Sequence, residues 1–256
     1  DMTYMQMVLG FFPGYLIVAF VLLPLYYRLN LTSIYGYLEQ RFGICSYKTG
    51  ASFFILSRIV GSASKLYLVA LILQTLVFDQ WHIPFWVTVT GIISLIWGYT
   101  FRSGIKTIVW TDALQTICLL VALILIIWQV SSLLGFSVPE AITAVITDQH
   151  SRIFEFDWTS QQNFFKQFLS GILIVIVMTG LDQNMMQKNL TCRNLKDAQK
   201  NMVSYGFGFI PMNYLFLALG ILLLLFSAKF GISLPSRSDE ILPMLATEYL
   251  GLPVLI

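Results

Sequence analysis

Apolar positions in this chain fall in long runs broken by short polar stretches. A helix that crosses a bilayer needs about 20 mostly apolar residues. Six stretches reach or approach that length, at residues 5–27, 50–78, 84–99, 105–134, 164–186 and 203–230. The third is the shortest. This pattern predicts an all-α, polytopic membrane helix bundle with about six transmembrane helices, forming one transmembrane domain over residues 1–256. The polar stretches carry their own signals. Residues 32–43 predict a short amphipathic helix at the membrane surface, N-capped by Thr32 or Ser33 and ended by Gly43. Residues 79–84 predict a tight turn, with Trp81 suited to the interfacial aromatic belt. Residues 135–163 form a loop too long to be plain. Within it Pro139-Glu140-Ala141-Ile142 predicts a helix with Ser137 as cap, packed over the outer mouth of the bundle.

Composition agrees with the pattern. Hydrophobic residues make up 57% and charged residues 11%, where a soluble domain carries about a quarter charged. A net charge of +2 gives no footing for nucleic acid. Cys45, Cys118 and Cys192 lie far apart and match no metal or disulfide spacing. The chain starts at Asp1, shows no signal peptide and is apolar near both ends, so it reads as a piece of a longer polypeptide. The connections alternate in charge. Arg28, Arg41, Lys48, Arg102, Lys106, Lys188, Arg193, Lys196 and Lys200 fall on one side, and Arg152, Lys166, Lys229 and Arg237 on the other. Lysine and arginine favour the cytoplasmic side. The first, third and fifth spans are therefore expected to run inward, in a multi-pass protein of a plasma or inner membrane.

Polar residues inside the apolar runs are candidates for function, because a charge in the bilayer is costly and usually faces a partner, water or an ion. Asp112 lies inside the fourth run, with Thr111, Gln115 and Thr116 nearby. It either pairs with a cation to hold helices together or joins the path of a coupling cation. One carboxylate with a few neutral oxygens suits a monovalent ion better than a divalent one. In the second run Arg58 and Lys65 share a helical face and are natural counter-charges, although a cation near a helix end also snorkels to an interface. The fifth run turns from apolar to strongly polar across Thr179-Gly180-Leu181-Asp182-Gln183-Asn184. Gly180 is a weak point there. Either the helix breaks at membrane depth, which is tolerable only where it lines a cavity, or it leaves the membrane near Asp182. Pro211 predicts a kink in the sixth run, and Gly206 and Gly208 predict close helix contact. Enzymatic motifs do not appear. The two histidines, His82 and His150, fall in predicted outer loops, and no HExxH, phosphate loop or Ser–His pairing is present. Asn30-Leu31-Thr32 and Asn189-Leu190-Thr191 match the glycosylation pattern but fall on the predicted inner side.

Three segments together resemble one family. Gly104-Ile105-Lys106-Thr107-Ile108-Val109-Trp110-Thr111-Asp112-Ala113-Leu114-Gln115 is similar to the signature of sodium:solute symporters, most of all in Trp-Thr-Asp-x-x-Gln. Gly180-Leu181-Asp182-Gln183-Asn184-Met185-Met186-Gln187-Lys188 resembles a second family segment, and residues 34–43 a third. The resemblance implies an inverted-repeat core of five plus five helices, of which the six spans resemble core helices two to seven. It implies sodium (Na+) as coupling ion and a small organic solute as substrate. The main sodium site would be incomplete here, because it is built from core helices one and eight. Asp112 matches an aspartate linked to a further sodium site or to sodium release, with Thr111 and Gln115 beside it. Met178 and Thr179 align with an aromatic pair that gates sugar in the bacterial galactose transporter of the family. Val8 aligns with its sugar-binding glutamate, and Asp182 stands where it has asparagine. Gln6, Lys65, Met178, Thr179 and Asp182 are therefore the substrate-cavity candidates, and Gly180 and Pro211 the break and hinge.

Three functions are compatible with these residues. The first is secondary active transport, coupling sodium movement down its gradient to solute uptake by alternating access. The second is a membrane solute sensor of the same fold. The third is a channel, which would need a continuous polar stripe that the first, third and sixth runs lack.

Overall fold

The computed structural model describes residues 2–29, 33–78, 81–101, 104–232, 235 and 241–249. All regular elements among them are helical. In chain order they are α1 (Tyr4–Arg28), α2 (Tyr35–Phe42), α3 (Ile44–Leu73, continued by a π segment at Gln74–Phe78), α4 (Phe85–Thr100), α5 (Gly104–Leu134), α6 (Val138–Thr147, followed by a 3-10 turn at Gln149–Ser151), α7 (Phe164–Gly180), α8 (Gln183–Leu190), α9 (Leu195–Phe230) and α10 (Ile241–Glu248). Four of these, α1, α3, α5 and α9, are long and apolar enough to cross a membrane, and the bent pair α7–α8 makes a fifth. The remaining predicted span is α4, with 16 residues. At a rise of about 1.5 Å per residue it falls short of the roughly 30 Å of hydrocarbon. Thr32, Asn30-Leu31, Asp79-Gln80, Arg102, Arg237 and the apolar end at residues 252–256 lie outside the described residues, as does the side chain of Lys106.

The chain forms two compact units. One holds the residues up to Ile34 and those from Leu119 onward, and the other is Tyr35–Cys118. In the first, a stripe on α5, Leu123, Ile126, Val130 and Leu134, is buried in one core with Leu219, Leu222 and Phe226 of α9. The spacing of three and four puts each set on one helical face. Val145 of α6 and Leu245 of α10 join the same core, so the loop helix is packed onto the bundle as the sequence predicts. Its start is a capping box between Ser137 and Glu140. Two bonds to that carboxylate, from the Ser137 N–H and hydroxyl, hold Glu140 below its usual range. α9 ends at Gly231 in the left-handed conformation, φ 65°.

In the second unit, Gly43 (φ 86°) separates α2 from α3. α2 then folds back so that the Tyr35 ring meets Phe54, with centroids 5.6 Å apart. The Arg58 guanidinium sits over the Phe54 ring at 5.2 Å, close enough to Tyr35 to act on its hydroxyl. Arg58, midway along α3, thus lies over a ring one turn back on its own helix and reaches toward α2. α3 and α4 are pinned by Gln74, whose Nε2 donates to Ile83 O at 2.6 Å and whose Oε1 accepts from Thr88 Oγ1 at 2.6 Å.

Candidate functional site

α1 and α7 run parallel and touch along their backbones. Gly10 and Gly14 stand one turn apart on α1. A Cβ at Gly10 would strike Phe168 O, one at Gly171 would strike Met7 O, and one at Gly14 would lie 2.8 Å from Val175 Cβ. Close packing of this kind is the use that small residues have between membrane helices. α9 runs antiparallel along α1, with Gly206 against Tyr15 and Phe209 against Phe11, centroids 5.7 Å apart.

Both α1 and α7 depart from α geometry where they meet. Val18–Leu22 in α1 and Ile176–Gly180 in α7 are π segments, which occur often at functional sites. Pro24 explains the first, since it has no N–H to offer the ladder. The second ends the helix. After Gly180 the axis turns by 67° into α8. α8 restarts because Asp182 is its N-cap, its Oδ1 accepting from Asn184 N at 2.9 Å and Met185 N at 3.1 Å. The break is therefore built from a glycine that packs closely, a Cβ there lying 2.5 Å from Leu22 Cδ1, and an aspartate that starts a helix in a new direction.

Polar side chains gather around the break. The Tyr15 and Tyr205 rings meet edge to face at 5.4 Å, with Thr179 close to the Tyr15 hydroxyl. Tyr26 donates its hydroxyl to Gly180 O at 3.0 Å. Gln199 Nε2 donates to Ala19 O at 3.1 Å. Below the break, Gln183 Oε1 accepts from Ser33 Oγ and from Ile34 N. Tyr27 donates to Asn189 O at 3.0 Å, and Asn201 Nδ2 donates to Asn189 Oδ1 at 3.0 Å. α8 is thereby tied at its first turn to the segment after α1, and at its last turn to α1 and α9.

The residues singled out in the sequence divide between the two units. Thr179 and Gly180 are buried at the break and Asp182 caps α8, while Met178 is 67% exposed. Gln6 is fully buried at the opposite end of α1. There its Nε2 donates to Thr3 O and Gln162 O, and its Oε1 accepts from Glu155 N. Those bonds clamp the loop that carries Glu155 and Gln162 to the start of α1. Pro211 lies inside α9, which continues through it. In the other unit Asp112 is half-buried on α5, between exposed Thr111 and Ala113, with Gln115 exposed one turn on. Lys65 is exposed on α3. Tyr15, Tyr26, Tyr205 and Gln199 were not singled out by sequence reasoning. Pro24, inside an apolar run, was the readable sign that a carbonyl near it needs an outside donor.

The segments that carry this geometry match a family model. The model of the sodium:solute symporter family covers residues 2–251. The chain belongs to the sodium:solute symporter family. This symporter chain is 30% identical over 203 residues to the human sodium/iodide cotransporter, a match covering 77% of the chain and 30% of that protein. It is 30% identical over 195 residues to the sodium-dependent multivitamin transporter of Oryctolagus cuniculus, covering 73% of the chain and 29% of the relative. It is 29% identical over 195 residues to a sodium/sialic acid symporter of Aliivibrio fischeri, covering 73% and 37%. The chain thus spans about a third of the length of these relatives, all of which carry the names of transporters and not of enzymes.

Proposed function

We propose that the protein is a secondary active transporter, or the part of one given by core helices two to seven of the family fold. It couples sodium movement down its gradient to the uptake of a small organic solute by alternating access in a lipid bilayer. The observation that carries this reading is the α7–α8 break of 67° inside a family member. A break of that kind interrupts the regular ladder of a span, and broken spans are where transporters place their solute and ion sites. Thr179, with Tyr15 and Tyr205 beside it, is the polar wall of the solute cavity in this reading. Lys65, Gln6, Met178 and Asp182 are the other cavity candidates carried from the sequence. Relatives named for iodide, vitamins and sialic acid make small polar or ionised solutes the first compounds to try.

Asp112, with Thr111 and Gln115, is proposed to lie on the sodium path. The carboxylate is half-buried near the start of a helix long and apolar enough to span, where an ionised group usually faces a partner, water or an ion. The test uses the full-length protein in proteoliposomes with an inward sodium gradient and radiolabelled candidate solutes. Sodium-dependent accumulation is expected, and its absence in a potassium gradient. Asp112→Asn should raise the sodium concentration for half-maximal uptake roughly tenfold, the effect of about 1.4 kcal/mol of lost ion binding. An unchanged sodium dependence would remove Asp112 from the path.

A further inference from the structure

The two π segments leave two backbone carbonyls in need of donors, and the structure supplies each from a neighbouring helix. In α1, the Leu23 N–H goes to Val18 O, and Pro24, the next residue, has no N–H. The helix's own donors for Ala19 O are then spent. Gln199 of α9 takes that carbonyl through Nε2 at 3.1 Å. In α7, the Leu181 N–H goes to Ile176 O at 3.1 Å, after which the chain turns away and no helix continues beyond Gly180 to supply a donor. Tyr26 of α1 takes Gly180 O at 3.0 Å, in a buried bond. The two defects lie side by side, because a Cβ at Gly180 would sit 2.5 Å from Leu22 and 3.0 Å from Val18.

A side-chain bond to a freed carbonyl differs from a ladder bond in one respect. It can open and reform without unwinding the helix it serves. We propose that Gln199 and Tyr26 are positioning residues of the transport cycle. They hold the paired defects of α1 and α7 in one arrangement, and their release lets the α7–α8 break change its angle between transport states. The proposal rests on the transport function proposed for the chain. It predicts that these two side chains set the rate of the conformational step and leave solute and sodium binding nearly untouched, because neither donates to the proposed solute wall at Thr179 or lies near Asp112 in sequence.

The experiment compares wild type, Tyr26→Phe, Gln199→Leu, Pro24→Ala and Pro24→Ala/Gln199→Leu in the full-length protein, reconstituted at matched folded amounts. Sodium-driven net uptake, half-saturating solute and sodium, and thermal midpoint are measured for each. Tyr26→Phe and Gln199→Leu should each change the maximal rate about fivefold, the size that one ordinary hydrogen bond carries. Half-saturation should move by less than about twofold, within the scatter of such energies. Pro24→Ala restores a backbone donor to this stretch of α1, so Gln199→Leu should do less in that background than alone. Equal rates per folded protein, or a Gln199 effect unaltered by Pro24→Ala, overturn the proposal while the transport reading stands. Shifts confined to half-saturation overturn it too, and place both residues in binding. No sodium-driven uptake by wild type overturns the reading and the proposal together. Should Gln199→Leu fail to fold, Tyr26→Phe decides alone, since it removes a single oxygen.

Discussion

α1 and α7 contain the same defect and do different things with it. Each has a five-residue π segment, at Val18–Leu22 and Ile176–Gly180. α1 resumes as a helix through Arg28, whereas α7 stops and its successor leaves at 67°. The difference lies in the residues just beyond each defect. After Leu22 come Leu23 and Pro24, and proline is at home in the first turn of a resumed helix. After Gly180 come Leu181 in a non-helical conformation and Asp182 in an extended one, and Asp182 caps a new start. A π segment by itself therefore marks a place where a helix can be interrupted, and the next few residues decide whether it is.

The comparison can be broken most severely at the backbone contact that holds the pair together. Gly171→Val would drive a side chain into Met7 O, which cannot move aside. A loss of at least about 3 kcal/mol is expected, the upper range for overpacking, read as a collapse in thermal midpoint and in folded yield. Gly180→Ala is milder, since the obstructing atoms are side-chain methyls of Leu22 and Val18. It should cost about 1–3 kcal/mol and push the two defects apart, so that uptake falls more than stability does. Asp182→Ala should cost about 1 kcal/mol as a lost N-cap, with hydrogen exchange rising at Asn184 and Met185. Asp182→Asn keeps the cap and should recover most of that protection, which separates the start of α8 from any role for the charge.

The smallest effect is expected at the other end of the helix pair, where the loop after α6 is tied down. There the N–H of Met2 donates to His150 O at 2.9 Å, and Asp148 holds the turn. The backbone N–H of His150, and then its ring, keep the Asp148 carboxyl below its ordinary value of 3.8. The folded pKa is depressed, so the contribution is present above the ordinary value and fades as pH falls through the lowered one. Acidification through that window should lower the protection of the Met2 and His150 amides, relative to their intrinsic exchange at each pH, and leave the protection of α8 unchanged. Equal loosening at both ends would show that the two junctions are not independent.

Much of this arrangement was legible in the sequence. The capping box at Ser137 and Glu140 was readable because its bonds span three residues and need no partner from elsewhere. The break at Gly180 was readable because a glycine followed by Asp182 and a polar run is a local instruction. The bridge from Gln199 to Ala19 was not, since it joins residues 180 apart in sequence. Gln6 illustrates the same limit. It was picked out only by its place near Val8 in the family resemblance, and the folded loop is what brings Gln162 O and Glu155 N to its amide.

Apolar runs and turn residues determined that this chain is a set of membrane helices and where one of them breaks, although α3 begins at Ile44 and α9 at Leu195, six and eight residues ahead of the runs that announce them. That much rests on short-range physics, the pairing of each backbone group with a neighbour a few residues away and the exclusion of polar groups from hydrocarbon. Tertiary structure decided which faces are covered. The best apolar window of α1 is 44% buried and that of α3 only 6%, although both satisfy the same test for a span. Lipid and protein interior are equally apolar, so hydrophobicity cannot tell a helix which of the two it will face. The contacts of Gly10, Gly171 and Gln199 do.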